Sequence, residues 1–216
     1  MICNSLDLCQ SVYLLGKYFS TNNFKKIGTS SCYYEVGYDI LESLDNGISN
    51  SNTTFSGHFI TPLNPRDNEV DLMTDFFEEN KPDVIFGFHN GIYAKEHATY
   101  IKKNKINQSI PLYTTYFSTE DDIIQDNITD FDGIKSISTW FPELETEENK
   151  FFIANYTKEY NKKPSVFSLL GYENGLLINS FFKNQNLYEL ETKSPRGNMS
   201  IGKDTNRTNL IITFMK

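Results

Sequence analysis

KPDVIFGFHNGIYAKEHATYIKK, residues Lys81–Lys103, changes its hydrophobic period half-way along, and that change decides the fold. Pro82 to Gly87 is a short apolar run (Val84, Ile85, Phe86) opened by proline and closed by glycine, the pattern of a strand buried on both faces. Beyond Asn90-Gly91, residues Ile92, Tyr93, Glu96, His97, Tyr100 and Ile101 recur at helical spacing, with Lys95, Lys102 and Lys103 left for solvent. A buried strand that hands over to an amphipathic helix through a polar turn is half of a βαβ unit. His89-Asn90-Gly91 therefore falls at the carboxyl end of a strand, where open α/β sheets bind their ligands.

Working outward, the same alternation repeats. Lys25 to Ser31 reads as a strand with a small, polar interior, followed by a helix through Tyr38, Leu41 and Leu44 to a stop at Asn46-Gly47. Thr53 to Ile60 is a second strand, and Asp67 to Asn80 a helix carrying Val70, Met73, Phe76 and Phe77. Ile110 to Thr114 and Gly133 to Trp140 supply two more strands. Five strands centred near Ile27, Phe55, Ile85, Leu112 and Ile137, separated by helices, predict a doubly wound parallel sheet of order 2-1-3-4-5, a flavodoxin-like α/β lobe.

The ends of the chain depart from this rule. Ser5 to Phe19 is a helix with Leu8, Val12, Leu15 and Phe19 on one face. After Phe141-Pro142 two helices follow without a strand between them, Glu147 to Tyr160 and Ser165 to Phe182, separated by Pro164. Asn198 to Ile201 and Asn209 to Phe214 read as two short closing strands.

With 216 residues, a net charge of −8 and a pI of about 4.9, the chain would repel a phosphate backbone, so nucleic acid is not expected as a partner. No run approaches the roughly 18 apolar residues that span a bilayer, so no direct membrane insertion is expected. The start carries Asp7 and no basic segment, so it does not read as a signal peptide, which implies a cytoplasmic chain if expressed as written. Cys3, Cys9 and Cys32 fit no zinc or redox spacing.

Catalytic patterns are not found. There is no Walker loop or dinucleotide fingerprint, and Gly28-Thr29-Ser30-Ser31-Cys32 lacks the second glycine of a nucleophile elbow. His89 lies in a loop while Glu96 and His97 are adjacent on a helix, so their side chains should diverge, and no metal site is read from them. No enzyme activity and no cofactor are expected. What stands out is the loop content at the carboxyl ends of the strands: Tyr33 and Tyr34, then His89 and Asn90, then Thr115, Tyr116 and Phe117, then Trp140. Rings with hydroxyls and amides suit a small polar molecule, the faces excluding water and the edges fixing orientation.

KKIGTSSCYYEVGYD from Lys25, KPDVIFGFHNGIYAKEHA from Lys81, IKSISTWFPELE from Ile134 and ENKFFIANYTKEYNKKPSVFSLLGYENGLLINSFF from Glu148 come in an order that resembles the type I periplasmic binding protein family. These are the extracellular receptors of amino-acid, urea and short-amide ABC transporters. SPRGNMSIGKDTNRTN from Ser194 is similar to the family's closing turn and strands. The resemblance implies residues 1–20 as a helix of a missing first lobe, 21–144 as ligand-binding lobe two, 145–190 as a helical pair returning to lobe one, and 191–216 as strands near the hinge. It implies an N-terminally truncated solute-binding protein, periplasmic or extracellular, whose partners are a small-molecule ligand and, at full length, the transporter's membrane subunits. Ligand contacts carried over by position fall at Tyr33, Tyr34, Val36, Asn90 and Tyr116, with Phe167 from the returning helix; His89 and Thr115 join them from the loop reading. Where amino-acid binders of the family hold an ammonium with a carboxylate, this chain has Tyr116, which favours an amide-like, urea-like or aromatic ligand. The helical pair should expose apolar side chains that the missing lobe would cover. The alternative reading is a flavodoxin-like sensor or interaction module, or an inactive truncated product.

Overall fold

Ile27, Phe55, Ile85, Leu112 and Ile137 each lie in a strand: β1 (Lys26–Cys32), β2 (Thr54–Thr61), β3 (Val84–Phe88), β4 (Leu112–Thr115) and β5 (Lys135–Ser138). The computed structural model describes residues 3–32, 36–62, 64, 66–89, 97, 109–119, 121–124, 128–184, 186, 188, 191–203, 208–209 and 214–215. The chain divides into two units, Leu8–Ile137 with Met215–Lys216, and Met1–Asp7 with Ser138–Phe214.

In the first unit the strands run in the order β2-β1-β3-β4-β5, with every described pairing parallel. Successive residues of a strand face opposite sides, so β3 feeds two cores. Val84, Phe86 and Phe88 pack with Ile27, Tyr113 and Ile137 under α1 (Leu8–Thr21) and α2 (Val36–Ile48), through Val12, Leu15, Phe19, Ile40 and Leu44. Ile85 and Leu112 pack on the other face with Met73 and Phe77 of α3 (Glu69–Asn80). Of the helix expected over Ile92 to Ile101, His97 is helical and buried; the other positions lie outside the described residues.

The resemblance implies residues 1–20 as a helix of a first lobe; in the structure α1 is grouped with the sheet, and Val12, Leu15 and Phe19 are buried in the sheet's own core. Its approach to α2 is backbone on backbone. A Cβ on Gly16 would stand 2.6 Å from the Leu44 carbonyl oxygen, and one on Gly47 would run into the Tyr13 carbonyl oxygen.

The second unit contains α5 (Glu147–Tyr160) and α6 (Val166–Asn184); α4 (Asp121–Ile124) is a single turn of the sheet unit. Thr146 caps α5 by accepting the Asn149 N–H at 3.2 Å, and Glu147 and Glu148 sit at the positive end of the helix dipole. Asn149 is fully buried and satisfied: its Oδ1 accepts from the Trp140 indole at 2.8 Å, and its amide donates to the Pro142 and Leu144 carbonyls at 2.9 Å each.

A hairpin of β6 (Thr192–Ser194) and β7 (Gly197–Ile201) follows, and β8 (Thr208–Asn209) pairs antiparallel to β7. Gly197, with φ 121°, takes a turn conformation that a side chain would strain. The expected closing strands are thereby redrawn. Thr192–Ser194 adds a strand, and Phe214–Met215 lies beyond β5 in the main sheet.

Arg196, in the hairpin turn, is completely buried with Glu173 of α6. Its Nε and Nη2 donate to the two Glu173 oxygens, Nη1 to the Ser5 carbonyl and Thr139 Oγ1, and Nη2 also to Asn4 Oδ1. All five guanidinium N–H groups have an acceptor, the condition under which a buried charge is tolerated.

Candidate functional site

The expected site lies at the carboxyl ends of β1, β3 and β4. Register places Ser31 beside Phe88, and Gly87 beside Thr114, so the loops leaving β3 and β4 start side by side. Ser118 fastens them. Its buried hydroxyl donates to the His89 carbonyl at 2.6 Å and accepts the His89 N–H at 3.2 Å. Thr119 then donates to Ser136 Oγ within β5 at 2.7 Å, so hydroxyls tie the loops leaving β3 and β4 to each other and to β5.

Of the expected contact residues, Thr115 ends β4 and is buried, and Tyr116 opens the 3-10 turn Tyr116–Ser118, half-buried beside Phe117 with ring centroids 6.2 Å apart. His89 is buried at the end of β3. These three are brought to adjacent strand ends. Val36 is the first residue of α2, whereas Tyr33, Tyr34 and Asn90 lie outside the described residues. Phe167 is in the other unit, in the first turn of α6, and is 70% exposed.

The histidines correct the sequence reading. His89 and His97 do not diverge; their rings stack 4.0 Å apart at 22°. Burial pushes the His89 pKa well below the usual histidine value, helped by His97 and His58, and burial alone pushes His97 down to about 4. Both rings are therefore neutral at pH 7. His58 on β2 bridges Thr29 Oγ1 at 2.7 Å and Ser31 Oγ at 3.1 Å. A neutral ring donates from one nitrogen and accepts at the other, so one of these hydroxyls accepts and the other donates. Burial lowers the His58 pKa, partly offset by its contact with Thr29.

Sequence reasoning missed Ser118, His58 and His97 as organisers of this end of the sheet. The available signal was polarity inside buried strands, in TSS of β1 and at His58 of β2. Among the described residues no group of three or more His, Cys, Asp or Glu side chains is placed to hold a metal, and no helix is long and apolar enough to cross a membrane. A groove of about 650 Å³ lies between α5 and α6, walled by Phe151, Phe152, Tyr156, Tyr160 and Tyr172.

No family model and no curated protein matches the chain. Solved structures do. An ABC transporter substrate-binding protein from Sphaerobacter thermophilus superposes with a TM-score of 0.84 at 16% identity, over 95% of this chain and 59% of that one. The fold is that of the type I periplasmic binding proteins. A solute-binding protein of an ABC transporter from Rhodopseudomonas palustris BisB5, in complex with 3,4-dihydroxybenzoic acid, matches with a TM-score of 0.77 at 20% identity, covering 97% of this chain and 60% of that one. A leucine-, isoleucine-, valine-, threonine- and alanine-binding protein from Brucella ovis gives 0.78 at 12% identity, covering 93% and 55%. The chain thus spans about three fifths of the length of these type I binding proteins.

Proposed function

We propose that this chain is the ligand-binding lobe and returning helical pair of a solute-binding protein serving an ABC-type transporter, acting without catalysis in the periplasm or outside the cell. The observation that carries the reading is the likeness to such proteins over 95% of the chain, joined to the loops at the carboxyl ends of β3 and β4. His89, Thr115 and Tyr116 are proposed as ligand contacts from that edge. Tyr33, Tyr34, Val36, Asn90 and Phe167 complete the proposed set. Residues 145–190 are proposed as the helical pair that returns to the first lobe, and 191–216 as strands near the hinge.

The proposed ligand is a small aromatic acid or an amide-like or urea-like solute. Tyr116 offers a phenol where an ammonium would require a carboxylate, and a phenol pairs with carboxylate, amide or hydroxyl groups of a ligand. One of the similar structures holds a dihydroxybenzoate.

Calorimetry tests this with 4-hydroxybenzoate, urea, acetamide and leucine, on the chain alone and joined to the first lobe of a similar binding protein. The chain alone should bind weakly, because an open face leaves wet much of the 70–90% of a ligand that a closed site buries. The joined protein should bind the aromatic acid or the amide, and Tyr116→Ala should weaken that binding by about 1–3 kcal/mol. Preference for leucine would overturn the ligand class, and no binding in either form would overturn the function.

A further inference from the structure

On α5 the side opposite the buried Asn149 and Phe152 is one stripe of Glu147, Phe151, Ala154 and Lys158, spaced four, three and four residues apart. At 3.6 residues per turn these four positions fall within about 60° of one another around the helix. All four are exposed, Phe151 by 64%. Alternating steps of four and three are the spacing of a coiled-coil seam, in which a side chain of one helix enters a gap on the other.

The stripe complements itself in one orientation. Laid antiparallel across a two-fold axis between Phe152 and Ile153, Glu147 of one helix meets Lys158 of its copy, and Phe151 meets Ala154. Negative then faces positive, and a large side chain faces a small one. Laid parallel in register, each residue meets itself, so that carboxylate faces carboxylate and ammonium faces ammonium, which is unfavourable. Both charges are available for this pairing. Lys158 takes part in none of the ion pairs among the described residues, and Glu147 stands 3.6 Å from Lys150, which lies nearer Glu145 at 3.0 Å.

We propose that α5 docks antiparallel on α5 of a second copy of this chain, forming a reversible two-fold dimer. Covering Phe151 with Ala154 supplies the attraction, and the charges at the two ends choose orientation and register. A helix of 14 residues is about 21 Å long, so a single helix pair falls at the small end of protein interfaces and the dimer exchanges with monomer. The proposal concerns the outer stripe of α5 alone and does not depend on any bound solute.

Sedimentation equilibrium of the intact chain, from micromolar to millimolar concentration, should show monomer and dimer in exchange; monomer throughout would overturn the proposal. Phe151→Asp, with its fold checked by far-UV circular dichroism, should weaken dimerisation about tenfold or more. An unchanged dimer in that variant would overturn the proposal too. Lys158→Glu and Glu147→Lys should each weaken it about fivefold, because two opposite-charge contacts become like-charge ones. Mixed together, these two variants should associate as tightly as wild type, since each then faces the opposite charge. Failure of the mixture to recover would overturn the antiparallel pairing. Joined to the first lobe of a similar binding protein, the chain should still dimerise; loss of the dimer there would assign the stripe to that lobe and overturn the proposal.

Discussion

In the sheet unit Phe86, Phe88 and Tyr113 are almost completely buried, whereas in the helical unit Phe151, Phe167 and Phe182 are 64%, 70% and 76% exposed. The residue types are alike, so composition does not explain the contrast. A parallel sheet has helices on both faces by construction, and here α1, α2 and α3 supply them. The helices α5 and α6 each carry more apolar surface than the small hairpin covers. Beside a small apolar core that includes Leu177, Met199 and Ile201, their unit carries buried polar anchors, Arg196 with Glu173 and Asn149 with Trp140, which demand full satisfaction to be tolerated.

The largest way to break this contrast is to remove the anchor. Arg196→Met leaves the Glu173 carboxylate buried without its counter-charge, facing the Asn4 amide, and should cost about 3–5 kcal/mol. Trp140 is the single tryptophan and lies in the helical unit, so the urea transition followed by its fluorescence reads that loss there. Arg196→Met with Glu173→Leu should recover most of it, since no charge is then stranded. A single mutant as stable as wild type would show the anchor to be dispensable.

The sheet unit has the acid-sensitive interior. His89 and His97 are held neutral in the folded chain, so the unfolded chain binds more protons below pH 6.5, and stability falls with pH. The fall should begin near the unfolded histidine value of about 6.5 and, for His97, level off near 4. Its slope should reach about 1.4 kcal/mol per pH unit for each of the two rings. Urea midpoints followed by far-UV circular dichroism at pH 7.5, 6.0 and 5.0 check this, in a range above most carboxylate titration. Equal midpoints would show that the rings protonate without opening the fold.

Smaller effects sharpen the comparison. Gly47→Ala drives a methyl into the Tyr13 carbonyl and should cost about 1–3 kcal/mol in the sheet unit, read by hydrogen exchange of α1 amides. Phe182→Ser, at an exposed position, should change stability by no more than about 0.5 kcal/mol. It should nonetheless reduce self-association in sedimentation velocity, because apolar patches on a surface promote association. A large loss of stability instead would mean that Phe182 is part of a core.

The five strand centres, the parallel order and the helical pair with its exposed aromatics were legible because each rests on a local period: apolar runs for strands buried on both faces, 3.6-residue recurrence for helices, and proline at the breaks. Glu147–Tyr160 is found at the bounds the sequence predicts. The membership of α1 was not legible, because an apolar stripe on a helix says that it is buried and not against what; the Gly16–Gly47 approach settles that in three dimensions. The candidate site divides in the same way. Strand ends rich in Tyr, His and Thr can be read from the order of residues, since the carboxyl edge of a parallel sheet is a consequence of topology. Ser118 reaching back to His89, His97 stacking on His89, and Ser30 facing Thr114 across Gly87 arise from strand register and from contacts 8 to 84 residues apart along the chain. Hydrogen bonding and burial at such separations depend on which strands become neighbours, and only the tertiary structure decides that.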